Sequence, residues 1–170
     1  MKPLILISND DGIKAKGLKE LCRAAEGLGE VVIAAPDREK SGAAGSITIW
    51  RNLKAVKKGF PGAAAAYSVN GTPVDCVKLA ALKLLERRPD IVLSGINHGP
   101  NYGKFILYSG TVGAAVEAAL LGIPSMAFSL SSFSPDADFT AAKEYAAKLI
   151  RLVLEGKIRM NSRTMLNINI

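Results

Sequence analysis

The apolar run Leu4-Ile5-Leu6-Ile7 breaks off into Ser8-Asn9-Asp10-Asp11-Gly12, and that break limits what the chain can become. Four large apolar residues bounded by turn formers predict a strand buried on both faces. Strands of that kind belong to parallel sheets covered by helices on either side. The same alternation continues downstream. Glu30-Val31-Val32-Ile33-Ala34-Ala35 (stopped by Pro36), Asp90-Ile91-Val92-Leu93-Ser94, and residues 124–129 and 165–170 are further apolar runs. Residues 18–28, 111–121 and 137–154 carry helical patterns between them. Thr72-Pro73 supplies an N-cap with proline at the first helical position, opening a helix to about residue 85. Residues 46–50 and 65–69 read as strands of a smaller extension or hairpin, with a Gly- and Pro-rich turn over 57–62. Alternating strands and helices of this kind predict an α/β fold with a mostly parallel sheet.

A chain of 170 residues that is 49% hydrophobic suits one domain, spanning 1–170, with a sizeable core. The stretch before Ser8 is too short for a signal-peptide apolar region. Glu117, Gly122 and Pro124 interrupt the longest apolar region, 111–130, which reads as a helix followed by a strand and not as a membrane span. Cys22 and Cys76 lie in helical patterns with no CxxC spacing, as expected of structural thiols in a reduced cytoplasm. The net charge of +7 is dispersed over residues such as Lys14, Lys16, Lys19, Arg23, Lys54, Lys57 and Lys58. No basic stripe interleaved with aromatics marks a nucleic-acid surface, though a positive field favours a phosphorylated substrate. Trp50 and Tyr67 are expected to pack in the core, and Tyr102 is a candidate to stack on a base. The last strand reaches the terminus without a turn or polar tail, as expected either of a truncation or of a chain that once ran further.

Four segments carry chemistry, and each has a plainer alternative. Adjacent carboxylates at Asp10 and Asp11 repel each other unless a cation lies between them. Mg²⁺ takes one or two carboxylates plus neutral oxygens and keeps waters for a phosphate. The alternative is a polar turn whose acids cap the next helix. Pro36-Asp37-Arg38-Glu39-Lys40-Ser41-Gly42 follows the second strand, and Ser41 beside Gly42 can approach a metal or a phosphate; otherwise it is a solvated turn. Ser94-Gly95-Ile96-Asn97-His98-Gly99-Pro100-Asn101-Tyr102-Gly103 follows another strand, and Asn97 can offer a neutral oxygen to a cation. An ordinary loop is the alternative, though long turn-rich loops in compact domains are more often functional. Ser109-Gly110-Thr111 opens a helix, either as an anion site or as a simple cap. His98, the only histidine, receives no role. Together these segments put acids, amides, hydroxyls and a helix end at one rim of the sheet, which fits metal-assisted phosphoryl transfer to water. The rival, a receiver-like signalling domain, needs a phospho-acceptor aspartate where residues 90–94 end in Ser94-Gly95.

The ordered segments S-N-D-D-G-I, A-P-D-R-E-K-S-G, S-I-T-I, N-G-T-P-V-D-C-V, S-G-I-N-H-G-P-N-Y-G and Y-S-G-T-V-G-A-A-V-E resemble the signature series of the SurE family, the survival-protein E nucleotidases. The resemblance covers nearly the whole chain. It implies a Rossmann-like three-layer αβα core with a small β extension. It also implies a divalent-metal-dependent phosphatase acting on nucleoside 5′- and 3′-monophosphates, in some members on short polyphosphate as well. Matched position by position, Asp10 and Asp11 are the acidic ligands of one Mg²⁺ or Mn²⁺ per subunit, and one of them the proton acceptor. Ser41 is the hydroxyl ligand and Asn97 the amide ligand. Asn9, Asn101, Ser109, Gly110 and Thr111 fall where the family holds the phosphate. Family members continue past residues 166–170 into a hairpin and a C-terminal segment used in dimer and tetramer contacts. Those elements are missing from this sequence, which weakens the expected homodimer. A cytoplasmic enzyme with no membrane or nucleic-acid partner completes the expectation.

Overall fold

The computed structural model describes residues 2–170 and contains one seven-stranded sheet. In chain order the strands are β1 (Leu4–Ser8), β2 (Glu30–Pro36), β3 (Ala55–Lys58), β4 (Ala65–Val69), β5 (Ile91–His98), β6 (Ser125–Leu130) and β7 (Met165–Asn169). The helices are α1 (Lys16–Ala25), α2 (Pro73–Leu79), α3 (Gly110–Leu120) and α4 (Thr140–Leu154). The spatial order is β3-β4-β2-β1-β5-β6-β7, and every neighbouring pair is parallel except β3 with β4.

The opening run explains the layering. Ile5, Leu6 and Ile7 are fully buried, and alternate side chains of a strand point to opposite faces. Ile5 and Ile7 join the core shared with Leu18, Leu21, Ala142 and Ile150 of α1 and α4. Leu6 joins the one shared with Cys76 and Val77 of α2 and Ala114 and Ala118 of α3. Burial of each such side chain stabilises by about 1.5–3 kcal/mol. The result is the expected three-layer αβα arrangement. Cys22 and Cys76 are buried and unbridged.

The β1–β5 boundary is where the strand order reverses, because the chain moves from β1 to β2 on one side and returns to β5 on the other. Ligands of open α/β sheets bind outside the carboxyl ends of the strands at such a switch point. Asp10 and Asp11 follow β1, and Asn97 lies near the end of β5.

The expectations at the β extension need correction. Residues 46–50 do not form a strand; β3 is Ala55–Lys58, which overlaps the expected turn, and it pairs antiparallel with β4 from Ala55↔Val69 to Lys58↔Ala66. β2 covers the other edge of β4, so no edge of β4 is left for residues 46–50. That segment is held by side chains instead. Thr48 donates to Asp75 from its backbone N–H at 3.0 Å and from its hydroxyl at 2.6 Å, and the Thr72 hydroxyl donates to the Ser46 carbonyl at 2.7 Å. Trp50, expected in the core, is 95% exposed at the end of this segment. The Thr72 cap is present, completed by Asp75 as a capping box, but α2 passes into a π-helical turn at Ala80–Leu84. β5 runs on to His98, so Asn97 belongs to a strand end and not to a loop. Among the described residues no helix is long and apolar enough to cross a membrane.

Candidate active site

A cavity of about 290 Å³ opens at the switch point, walled by Asp10, Ser41, Asn97, Asn101 and Ser109 together with the aromatic rings of Phe105, Tyr108 and Phe133. Three loops are clamped together to make it. The Lys40 backbone N–H donates to the Asp10 carbonyl at 2.7 Å, and the Ala44 N–H donates to the Tyr108 carbonyl at 3.1 Å. Gly12, at φ +94°, brings the first loop against the backbone of Arg38, where a Cβ would meet the Arg38 carbonyl carbon at 3.0 Å. Only glycine takes that conformation at so close an approach without strain.

Asp10 is the centre of the site. It is 4% exposed. Burial pushes its carboxyl above the usual range, opposed by the Thr111 hydroxyl and the backbone N–H groups of Thr111 and Gly110. Thr111 is fully buried and donates to Asp10 Oδ1. The positive end of α3 is therefore aimed at this carboxylate. Gly110 makes the approach possible, since a Cβ there would stand 2.8 Å from the Asp10 Cβ and 3.1 Å from Pro73. Ser109 caps α3, its Oγ accepting from the Val112 N–H at 3.1 Å, and it faces the cavity.

Asp11 is pushed up to about 7, chiefly by burial and then by the charges of Asp10 and Glu39, with the His98 backbone N–H opposing. Among the described residues neither aspartate is ion-paired with a lysine or arginine. Two partly desolvated carboxylates with no basic partner fit a hard cation, which relieves both burial and repulsion. Neutral oxygens stand nearby. Asn97 Nδ2 donates to the Gly99 carbonyl at 2.7 Å, and Asn97 Oδ1 lies 3.3 Å from Thr111 Oγ1, whose one proton goes to Asp10, so the amide oxygen keeps its accepting capacity. Ser41 lines the cavity while its hydroxyl donates to Glu39 at 2.7 Å. Among the described residues no three His, Cys, Asp or Glu cluster as metal ligands, so a cation here would rest on two carboxylates and neutral oxygens.

The remaining expected residues divide by position. Asn101 faces the cavity and is fixed from behind: its Nδ2 donates to Ser129 Oγ at 2.9 Å, its N–H donates to Asn169 Oδ1 at 2.7 Å, and its carbonyl accepts from Asn167 Nδ2 at 2.7 Å. Asn9, Asp11, Gly110 and Thr111 do not line the cavity. Asn9 donates to the Gly12 carbonyl at 3.0 Å and shapes the acidic turn, while its buried Oδ1 has no partner among the described residues. Sequence reasoning passed over His98, Phe105, Tyr108 and Phe133, all cavity-lining. His98 sits edge-on to Phe139 at 6.0 Å between ring centres. Only the turn-rich composition around these residues hinted at a pocket.

A mostly parallel α/β sheet with an acidic pair, an amide, a hydroxyl and a helix N-terminus at its switch point places the chain among the open α/β proteins whose ligand sites lie at the carboxyl rim. The family model described as Survival protein SurE matches residues 5–170, and the chain belongs to that family. It is 48% identical over 168 residues to the 5′-nucleotidase SurE of Syntrophomonas wolfei subsp. wolfei, covering 98% of this chain and 62% of the relative. It is 44% identical over 170 residues to the 5′-nucleotidase SurE of Bacteroides fragilis, covering 99% and 65%. The crystal structure of the SurE protein from Aquifex aeolicus superposes with a TM-score of 0.81 at 42% identity, covering 99% of this chain and 66% of that one. The chain thus spans less than two thirds of the length of the two nucleotidases.

Proposed function

We propose that this protein is a divalent-metal-dependent phosphomonoester hydrolase that removes phosphate from nucleoside 5′- and 3′-monophosphates, and from short polyphosphate. The observation that carries the reading is the convergence of Asp10, Ser41, Asn97 and the α3 cap Ser109 around one cavity, with Asp11 next to Asp10 and no basic partner on either acid among the described residues. The relatives named as 5′-nucleotidases support it. A receiver-like phosphorelay has no support here, because the residue at its acceptor position is Ser94.

Asp10, Asp11, Ser41 and Asn97 would hold one Mg²⁺ or Mn²⁺ ion. Bound there, a divalent cation neutralises phosphate oxygens and acidifies a water molecule. The chain supplies the rest. One of the two aspartates accepts the proton of the attacking water. Asn101 and Ser109, both facing the cavity, hold the phosphate, and the α3 N-terminus with Gly110 and Thr111 adds positive potential as charge builds on the equatorial oxygens. Thr111 positions Asp10, and Asn9 holds the turn that carries both acids. With two buried free thiols, the enzyme suits the cytoplasm.

The test is a phosphate-release screen over nucleoside 5′- and 3′-monophosphates with EDTA, then with Mg²⁺ or Mn²⁺ restored. Release that stops in EDTA and returns with either ion supports the reading. Full release in EDTA, or none under any condition from a folded protein, overturns it.

A further inference from the structure

A second cavity, about 540 Å³ against 290 Å³ for the first, shares no lining residue with the candidate active site. Its walls come from five places. Ile13 and Lys14 precede α1, Lys19 lies on α1, Asp37 follows β2, Ser68 belongs to β4, and Lys58, Gly59, Phe60 and Pro61 form the end of β3 and its turn. The charges there are unbalanced. Three exposed lysines and one aspartate line it, and among the described residues none of Lys14, Lys19 and Lys58 takes part in an ion pair. Ile13, Phe60 and Pro61 add apolar surface to the same lining, with Phe60 half-buried against the core.

We propose that this cavity is a second ligand site, which binds a small oligophosphate-bearing molecule with its phosphates on Lys14, Lys19 and Lys58 and its apolar part against Phe60 and Pro61. Lysine ammonium groups recognise phosphate as point charges and need no fixed fork geometry. Clustering like charges around a concave, partly apolar surface focuses their field on an anion. The Ser68 hydroxyl adds a hydrogen-bond donor on the buried side.

The cavity also backs onto the candidate active site. The Ile13 N–H donates to the Pro36 carbonyl at 2.9 Å, joining the loop of Asp10 and Asp11 to the loop of Ser41. A ligand seated against Ile13 and Asp37 touches both loops from behind.

Isothermal titration in EDTA tests the proposal on the intact protein, because EDTA withholds the cation on which the first cavity is proposed to depend and no turnover is needed. The probes are ATP and inorganic tripolyphosphate. The expected result is saturable binding of one molecule of either probe, ATP at least threefold tighter through its apolar part. K14Q/K19Q/K58Q is expected to weaken both about tenfold or more. K54Q/K83Q/K148Q, with the same charge change elsewhere, is expected to leave both affinities within twofold. Absence of saturable binding overturns the site, and so does equal weakening by the two triple variants, which would indicate only a diffuse field. A shift of affinity in D10N overturns it too, by placing the probe in the first cavity. Parity between ATP and tripolyphosphate overturns the apolar contact. Because binding is read without catalysis, a failed phosphatase reading leaves these outcomes intact.

Discussion

Replacing Thr111 by valine probes the coupling between α3 and the acidic turn most directly. Thr111 is fully buried, and its hydroxyl donates to Asp10 Oδ1. Valine keeps the branched shape and removes only the donor, so packing changes little. A hydrogen bond to a charged group contributes about 1.5–3 kcal/mol, and a buried acceptor left with one donor fewer suffers most of that loss. The bond favours the ionised carboxylate, so its removal raises the Asp10 pKa further above its ordinary value of 3.8. The cost is therefore greatest at high pH, where Asp10 must stay charged, and shrinks as falling pH lets it take up a proton. Urea unfolding of the metal-free protein is expected to show T111V less stable than wild type by about 1.5–3 kcal/mol at pH 8.5, with the gap narrowing as pH falls and Asp10 takes up its proton. In the phosphate-release assay the same displacement of Asp10 lowers turnover about 10–100-fold, while T111S restores most of both properties. Equal stability of T111V and wild type at pH 8.5, together with unchanged turnover, would refute the reasoning that α3 positions Asp10.

D10N is expected to fold, to melt no lower than wild type without metal because a buried repulsive charge is gone, and to lose about 10²–10⁴ in phosphate release; calorimetric melting and the release assay check both. D75A removes the capping-box partner of Thr72 and the anchor of Thr48 and is expected to cost about 2–4 kcal/mol in urea unfolding. Burial pushes the Asp75 carboxyl up, but the hydrogen bonds from Thr48 and Thr72 outweigh it and hold the group below 3.8. The folded state therefore keeps Asp75 ionised where the unfolded chain protonates it. Its contribution is full above about pH 4 and fades as pH falls through the folded value, so wild type and D75A converge in acid. W50A, at a side chain 95% exposed, is expected to change unfolding free energy by less than about 0.5 kcal/mol; a loss above 2 kcal/mol would show that Trp50 is buried after all.

Local pattern sufficed where one strand or one cap carried the information. The apolar runs at β1, β2, β5 and β6 announce a parallel sheet because strands buried on both faces have few polar positions to spare. Asp10, Asp11 and Asn97 were readable as rim residues because each stands at or just past the end of such a strand. Thr72-Pro73 marked the start of α2 for an equally local reason. Residues 46–50 misled because their alternation is that of a strand, whereas in the fold Asp75 and Thr72 hold the segment through Thr48 and Ser46 and it pairs with no strand. That Gly110 and Thr111 turn the end of α3 onto Asp10, and that lysines between positions 14 and 58 share one cavity with Phe60, was settled only by folding. Which groups meet across a hundred residues is set by layer packing and loop clamps, and no spacing within a single segment encodes that.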